Sequence, residues 1–231
     1  MFFPTRLLGA TLLRRYKRFL ADVRLRNGRI VTVHCANSGS MLGCQDPGSD
    51  VYVSRQPGRH RRLAYTWEMV RVGDTWVGIN TLHPNRLVFE AVESGAIKEL
   101  RGYERLRREV WVSQSSRLDF CLENAGQHCF VEVKSVTLAF RGVAAFPDSV
   151  TARGTKHLKE LIRCRRRGQR AVLLFVIQRG DCAVMRPADE IDGEYGKWLR
   201  RAVKEGVELL PYGARVTPRA ITLTRRLTVR L

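Results

Sequence analysis

Asp119 and Glu132 lie at equal distances from a turn centred between Ala125 and Gly126, on two alternating runs, Ser116 to Glu123 and Cys129 to Leu138. If the runs pair as an antiparallel hairpin, the two acids oppose each other with Cβ atoms roughly 4.5–5.5 Å apart. Carboxylates that close repel unless something cationic sits between them. Lys134 follows Glu132 by two residues and so projects from the same face. Such a trio suits a divalent cation and a phosphate. Carboxylate oxygens hold Mg²⁺ or Mn²⁺, whose remaining waters can be activated, and the ammonium steadies charge on a phosphoryl group. Glu90, on an expected helix upstream, is a candidate further ligand. The same residue types on an exposed strand would be ordinary surface charge. Leu118, Phe120, Val131 and Val133 argue instead for a central hairpin, where a carboxylate must be ligated or paired.

The elements that must position these groups fall into two parts. Over residues 1–80 the chain reads as short strands: Arg18 to Arg26 and Arg29 to Ala36 around an Asn27-Gly28 turn, then Asp50 to Arg55, Arg61 to Val72 and Thr75 to Thr81. Short strands with Gly-rich corners predict a barrel of the OB type, with an SH3-like barrel or a three-stranded sheet fitting nearly as well. Over residues 81–231 a helix is expected at Pro84 to Ala96 and the acidic hairpin follows. After a loop from Arg141 to Gly154 come a helix at Thr155 to Arg167 stopped by Gly168, an apolar buried strand at Arg170 to Gln178, and a helix at Glu194 to Glu205. Strand, helix, buried strand is a βαβ unit, so a mixed sheet flanked by helices is expected. The class is therefore mixed α+β.

The 231 residues carry 41 Lys+Arg against 22 Asp+Glu, a formal charge of +19 and a pI near 10.7. That excess calls for a polyanionic partner, nucleic acid or an anionic membrane surface. A membrane span is not expected, since the longest apolar run, Ala171 to Ile177, is only seven residues and a span needs about 20. Six scattered cysteines without paired spacing read as reduced, buried thiols of a cytoplasmic protein, and the N-terminus does not read as a secretion signal. Arg14, Arg15, Lys17 and Arg18 cluster around Tyr16 and Phe19, a pattern suited to single-stranded nucleic acid or to a simply solvated strand. Asn37, in the polar Asn37-Ser38-Gly39-Ser40 loop, is a candidate phosphate contact or merely a turn. Trp67, Trp76, Trp111 and Trp198 read as core. No helix-turn-helix pattern is present, so binding largely through phosphates is expected rather than base reading.

The hairpin resembles the PD-(D/E)xK nuclease signature, with Asp119 in the first acidic position, Glu132-Val133-Lys134 as the ExK element, and Leu118 where that signature has proline. The whole chain resembles the sugar fermentation stimulation protein A family. The likeness is carried by Arg15-Tyr16-Lys17-Arg18-Phe19, His34 to Met41, Pro84-Asn85-Arg86-Leu87, Ser116 to Phe120, Glu132 to Leu138, Phe146-Pro147-Asp148 and Arg153 to Leu158. The resemblance implies an OB-like domain followed by a nuclease-like domain. It also implies DNA binding, single- or double-stranded, connected in bacteria with sugar (maltose) metabolism. It places Asp119, Glu132 and Lys134 on the nuclease triad, Glu90 on the upstream helical acid and Asp148 on the loop after the ExK strand. Arg117 lies in a shared motif and counts, like Arg153, Lys156 and His157 at the next helix start, as a candidate nucleic-acid contact. Three activities fit: a Mg²⁺- or Mn²⁺-dependent deoxyribonuclease, a non-catalytic DNA-binding regulator with a vestigial site, and an RNA-processing nuclease.

Overall fold

The computed structural model describes residues 1–56 and 62–231. The first half is built from β1 (Leu8–Tyr16), β2 (Leu20–Leu25), β3 (Ile30–Cys35), β4 (Asp50–Arg55), β5 (Tyr65–Val72) and β6 (Thr75–Gly78). Asn27-Gly28 turns β2 into β3, with Gly28 at a φ of +82° that favours glycine. β1 pairs antiparallel with β2 and with β4, and β4 with β5. A short parallel seam, His34 opposite Thr66 and Cys35 opposite Trp67, joins β3 to β5 and closes five strands into an OB-like barrel. Alternation along β2 turns Ala21, Val23 and Leu25 inward, where Leu12, Val33 and Trp67 also pack. Phe19 stays half exposed at 49%.

The second half runs α1 (His83–Glu93), β7 (Arg105–Ser113), β8 (Ser116–Asn124), β9 (Gln127–Val136), β10 (Ala139–Phe140), β11 (Val143–Phe146), α2 (Ala152–Arg166), β12 (Arg170–Ile177), β13 (Val184–Pro187), α3 (Gly193–Lys204), β14 (Glu208–Val216), β15 (Ile221–Arg226) and β16 (Thr228–Val229). Its main sheet has the order β15-β14-β12-β9-β8-β7. β12 is parallel to β9 and β14 and the other pairs are antiparallel, a mixed sheet. β12 must be apolar on both faces because it is covered on both. Val172, Leu174 and Val176 pack with Leu87 and Val88 of α1, while Leu173 and Phe175 pack with Leu158 of α2 and Leu199 of α3. The remaining strands form a small sheet, β10-β11-β13-β16.

Several elements differ from the sequence reading. β1 occupies the segment ahead of the expected first strand, and β7 was not expected. β11 lies inside the expected loop. α2 starts at Ala152 rather than Thr155 because Thr151 Oγ accepts from Gly154 N at 3.1 Å and caps the first turn. The strand expected from Arg61 begins at Tyr65, and Arg61 itself lies outside the described residues. All six cysteines are buried and unbridged. Trp67 is fully buried and Trp76 and Trp198 are half-buried, but Trp111 is 64% exposed on edge strand β7 and is not core.

Polar contacts tie the halves together. Glu68, 3% exposed in the barrel wall, accepts from Ser54 Oγ at 2.5 Å and from Asn80 Nδ2 at 2.8 Å, and lies 2.7 Å from His83 Nε2 at the start of α1. Burial alone would raise this carboxyl, but His83, Ser54 and Asn80 hold it below the usual range. Among the described residues, no helix is long and apolar enough to cross a membrane.

Candidate active site

The β8–β9 ladder runs from Asn124 opposite Gln127 to Phe120 opposite Val131, the register expected of a turn between Ala125 and Gly126. There it ends and the strands part. One residue further on, Asp119 Oδ2 accepts from the Val133 backbone N at 2.7 Å, taking an N–H that a longer ladder would have paired with β8. Asp119 Oδ1 accepts from Asn85 Nδ2, also at 2.7 Å. Glu132 is 3% exposed. Its Oε1 accepts from Lys134 Nζ at 2.7 Å and also contacts His157 Nδ1, which lies 3.3 Å from the same ammonium. Its Oε2 is buried with no hydrogen-bond partner.

Burial, and then the charge of Glu132, pushes Asp119 up to about 6. Burial works on Glu132 in the same direction, but Lys134 and His157 outweigh it and hold that carboxyl below its ordinary value. Beneath them the Tyr195 hydroxyl, fully buried and without a partner, is pushed well up by burial and by Glu132. Among the described residues no three His, Cys, Asp or Glu side chains form a ready-made metal cage. The donors present nevertheless suit a cation that takes one or two carboxylates and keeps its waters, as Mg²⁺ does. An orphaned buried carboxylate oxygen is a group that such an ion would satisfy.

Asp119, Glu132, Lys134 and His157 thus converge. His157, on the second turn of α2, is buried and turned inward onto Glu132. Glu90 is placed elsewhere: it pairs with the Met1 ammonium and with Arg86, each at 2.9 Å. The α1 residue that reaches Asp119 is Asn85, and five residues further on a helix points about 140° away. Asn85 stands in a motif quoted above, and its position in the first turn of α1 is the signal that it faces the sheet end.

The expected nucleic-acid contacts divide. Arg15 is turned inward: its guanidinium donates to the carbonyls of Asn37 and Gly39 at 2.9 Å and of Ser40 at 3.2 Å. Asn37 is buried, donating to Ile79 O at 3.2 Å and accepting from Gly39 N at 2.8 Å, so it shapes the loop. Lys17 and Arg18 are exposed on the β1–β2 turn. Arg153 is exposed at the start of α2, and Lys156 Nζ donates to Ser115 O at 2.6 Å across the rim. Arg117 pairs with Glu109 at 2.8 Å and lies over the Trp111 ring, 5.4 Å from its centroid. Asp148 Oδ2 accepts from Met41 N at 2.9 Å, and Ser40 Oγ donates to its carbonyl, so this acid latches the barrel loop to the second half. Beside the latch a cavity of about 170 Å³, lined by Gly39, Ser135 and Asp148, reaches the residue next to Lys134.

The family description "Sugar fermentation stimulation protein RE domain" matches residues 82–220, and "SfsA N-terminal OB domain" matches residues 13–79. The chain belongs to the sugar fermentation stimulation protein (SfsA) family. A sugar fermentation stimulation protein homolog from Geobacter sulfurreducens is 56% identical over 229 residues, covering 99% of this chain and 98% of the relative. One from Thioalkalivibrio sulfidiphilus is 53% identical over 233 residues, covering 100% of this chain and 98% of the relative. The solved structure of Pyrococcus furiosus SfsA, in complex with Ca²⁺, superposes with a TM-score of 0.91 at 27% identity, covering 100% of this chain and 98% of that one. The SfsA architecture of OB barrel and mixed sheet is thus shared along the whole chain.

Proposed function

We propose that this SfsA-family protein is a DNA-binding protein whose parted hairpin is a divalent-metal-dependent phosphodiesterase site. The observation that carries the reading is the buried, unpartnered Glu132 Oε2 beside Asp119, whose raised pKa reflects burial and that neighbouring charge. A buried carboxylate beside a half-buried one is costly unless a cation joins them. The Ca²⁺ of the Pyrococcus furiosus relative supports the same chemistry, since Ca²⁺ and Mg²⁺ are both hard, oxygen-seeking ions. Asp119 and Glu132 would hold Mg²⁺ or Mn²⁺, which when bound supplies Lewis-acid stabilisation and a water of lowered pKa. Asn85 and the Val133 N–H fix the Asp119 carboxylate in place. Glu132 and His157 fix the Lys134 ammonium, which orients a nucleophilic water or steadies charge on the phosphoryl oxygens. The net charge of +19 supplies attraction to the backbone that is independent of sequence.

The test is incubation of single- and double-stranded DNA and of RNA with Mg²⁺, Mn²⁺ or EDTA, comparing wild type with Asp119→Ala and Lys134→Ala. Cleavage that needs the metal and disappears in both variants is expected, and RNA as the better substrate would make it an RNA-processing nuclease. A second reading, a DNA-binding regulator without catalysis, is favoured by the saturation of Glu132 Oε1, which Lys134 and His157 already share. DNA binding with no cleavage under any condition would establish that reading instead.

A further inference from the structure

A further cavity lies away from the acidic site. It is a groove of about 930 Å³ where the N-terminal segment crosses from β15 to the barrel. Phe2, Phe3 and Tyr52 line it together with Arg6, Arg26 and Arg219, and no carboxylate does. Phe2 is 77% exposed. The N-terminal segment is fixed by backbone bonds, Phe3 N to Arg219 O at 3.1 Å and a bridge of Phe2 with Ala220. The side chains of Arg6, Arg26 and Arg219 make no hydrogen bond or ion pair among the described residues, unlike Arg14, Arg166, Arg170, Arg186 and Arg200, which pair with acids. Gly9 makes room for the Arg26 guanidinium, since a Cβ there would lie 2.9 Å from its Nε.

Through Gly9, Arg26 and Tyr52 the groove continues into a second cavity of about 270 Å³, lined by Arg24, Trp76 and Arg71 and, at its exposed edge, by Asp50, which lies 4.0 Å from Arg71. Tyr52 and Trp76 stack edge to face there at 4.9 Å. At the other end Phe3 packs edge-on against His83 at 5.5 Å, and His83 lies two residues before Asn85, the partner of Asp119.

We infer that this groove is a docking track for single-stranded DNA, separate from the acidic site and leading toward it. Cations without internal partners, spaced along an aromatic floor, match a sugar–phosphate backbone with unpaired bases stacking on the rings. A duplex presents phosphates to the cations, but its paired bases cannot reach the rings, so the floor selects single strands. This inference rests on the reading of DNA as the partner.

The test is fluorescence anisotropy in EDTA with a labelled oligothymidylate of about 16 nucleotides, the upper site size of one OB barrel, against a duplex of equal length. The proteins are wild type, Arg6→Glu/Arg219→Glu, Phe2→Ala, and Lys197→Glu/Arg230→Glu as an equal change of charge on exposed residues elsewhere. Wild type is expected to prefer the single strand. The Arg6→Glu/Arg219→Glu variant should lose at least about tenfold in single-strand affinity, with a log–log salt slope shallower by about 1.4. Phe2→Ala should lose about 5- to 150-fold for the single strand and keep its duplex affinity, and the control pair should stay close to wild type. Equal losses in the two charge variants, wild-type single-strand affinity in Phe2→Ala, or a wild-type preference for duplex would each overturn the groove while leaving DNA as the partner. Wild type binding neither DNA would overturn the groove and the proposed function together. Tight single-strand binding through the groove with no metal-dependent cleavage would keep the groove and remove only the catalytic reading.

Discussion

Asp119 Oδ2 holds the Val133 N–H at 2.7 Å, a side chain standing in for a neighbouring strand at the point where β8 and β9 separate. The contact gives β9 a hydrogen bond where its ladder ends, and it places this carboxylate beside Asn85, Glu132 and Lys134.

Folding raises this carboxyl from 3.8 to about 6, so the folded chain holds its proton more tightly than the unfolded one. The resulting stabilisation is fully present below about pH 4 and is lost as pH rises through about 6. At 1.36 kcal/mol per pH unit that loss is about 2–3 kcal/mol. Urea unfolding in EDTA across this window should show it. Asp119→Asn, which can still accept from Val133, should flatten the difference.

Lys134→Met should behave in the opposite sense. It leaves Glu132, whose side chain is 4% exposed, with His157 as its remaining side-chain partner. Breaking one side of a buried pair destabilises by about 3–5 kcal/mol. Because folding lowers the Glu132 pKa, the stabilisation from its partners is present above the unfolded carboxylate range and is lost as pH falls through the folded value. The gap between wild type and Lys134→Met should therefore close in acid, and Lys134→Met/Glu132→Gln should recover most of it at neutral pH. Urea titrations of the three proteins measure this.

Gly39→Ala should damage the latch between the halves, since a Cβ there would lie 2.7 and 2.8 Å from the Asp148 carboxylate oxygens. Overpacking of this kind costs about 1–3 kcal/mol. Asp148→Ala removes the obstacle as well as the Met41 hydrogen bond. The double variant should therefore be more stable than the sum of the single losses predicts, a coupling that a double-mutant cycle of melting curves reads directly.

Arg15→Ala should lower the melting temperature, because three loop carbonyls lose a charged donor, at about 1.5–3 kcal/mol. Lys17→Ala/Arg18→Ala removes two exposed charges and should change stability by no more than about 0.5 kcal/mol. Differential scanning calorimetry of the two variants separates scaffold from free surface charge within one basic cluster.

What was legible in the sequence was whatever a local pattern determines. Asn27-Gly28 announced the β2–β3 hairpin, and the spacing about Ala125 and Gly126 gave the β8–β9 register residue for residue over the paired stretch. The unbroken apolar run of β12 announced a strand covered on both faces. β7 was hidden because it is an edge strand whose arginines face solvent, so it has no clean alternation to read. Trp111 escaped for the same reason, since an aromatic on an edge strand need not be covered. Charge alone did not reveal that Arg15 points inward while Lys17 and Arg18 point outward, because that depends on a loop packing beneath β1. Asn85 and His157 reach the site from helices whose placement is decided by contacts distant in sequence.

Glu68 has a consequence for modularity. Its carboxylate sits in the barrel wall, but one of its partners, His83, opens the helix that also carries Asn85. A barrel excised from this chain would keep an anion in its interior and lose the imidazole that helps hold it there. The amino-terminal half is therefore not a portable adaptor. Grafting it onto another protein would first require replacing that acid with a neutral residue.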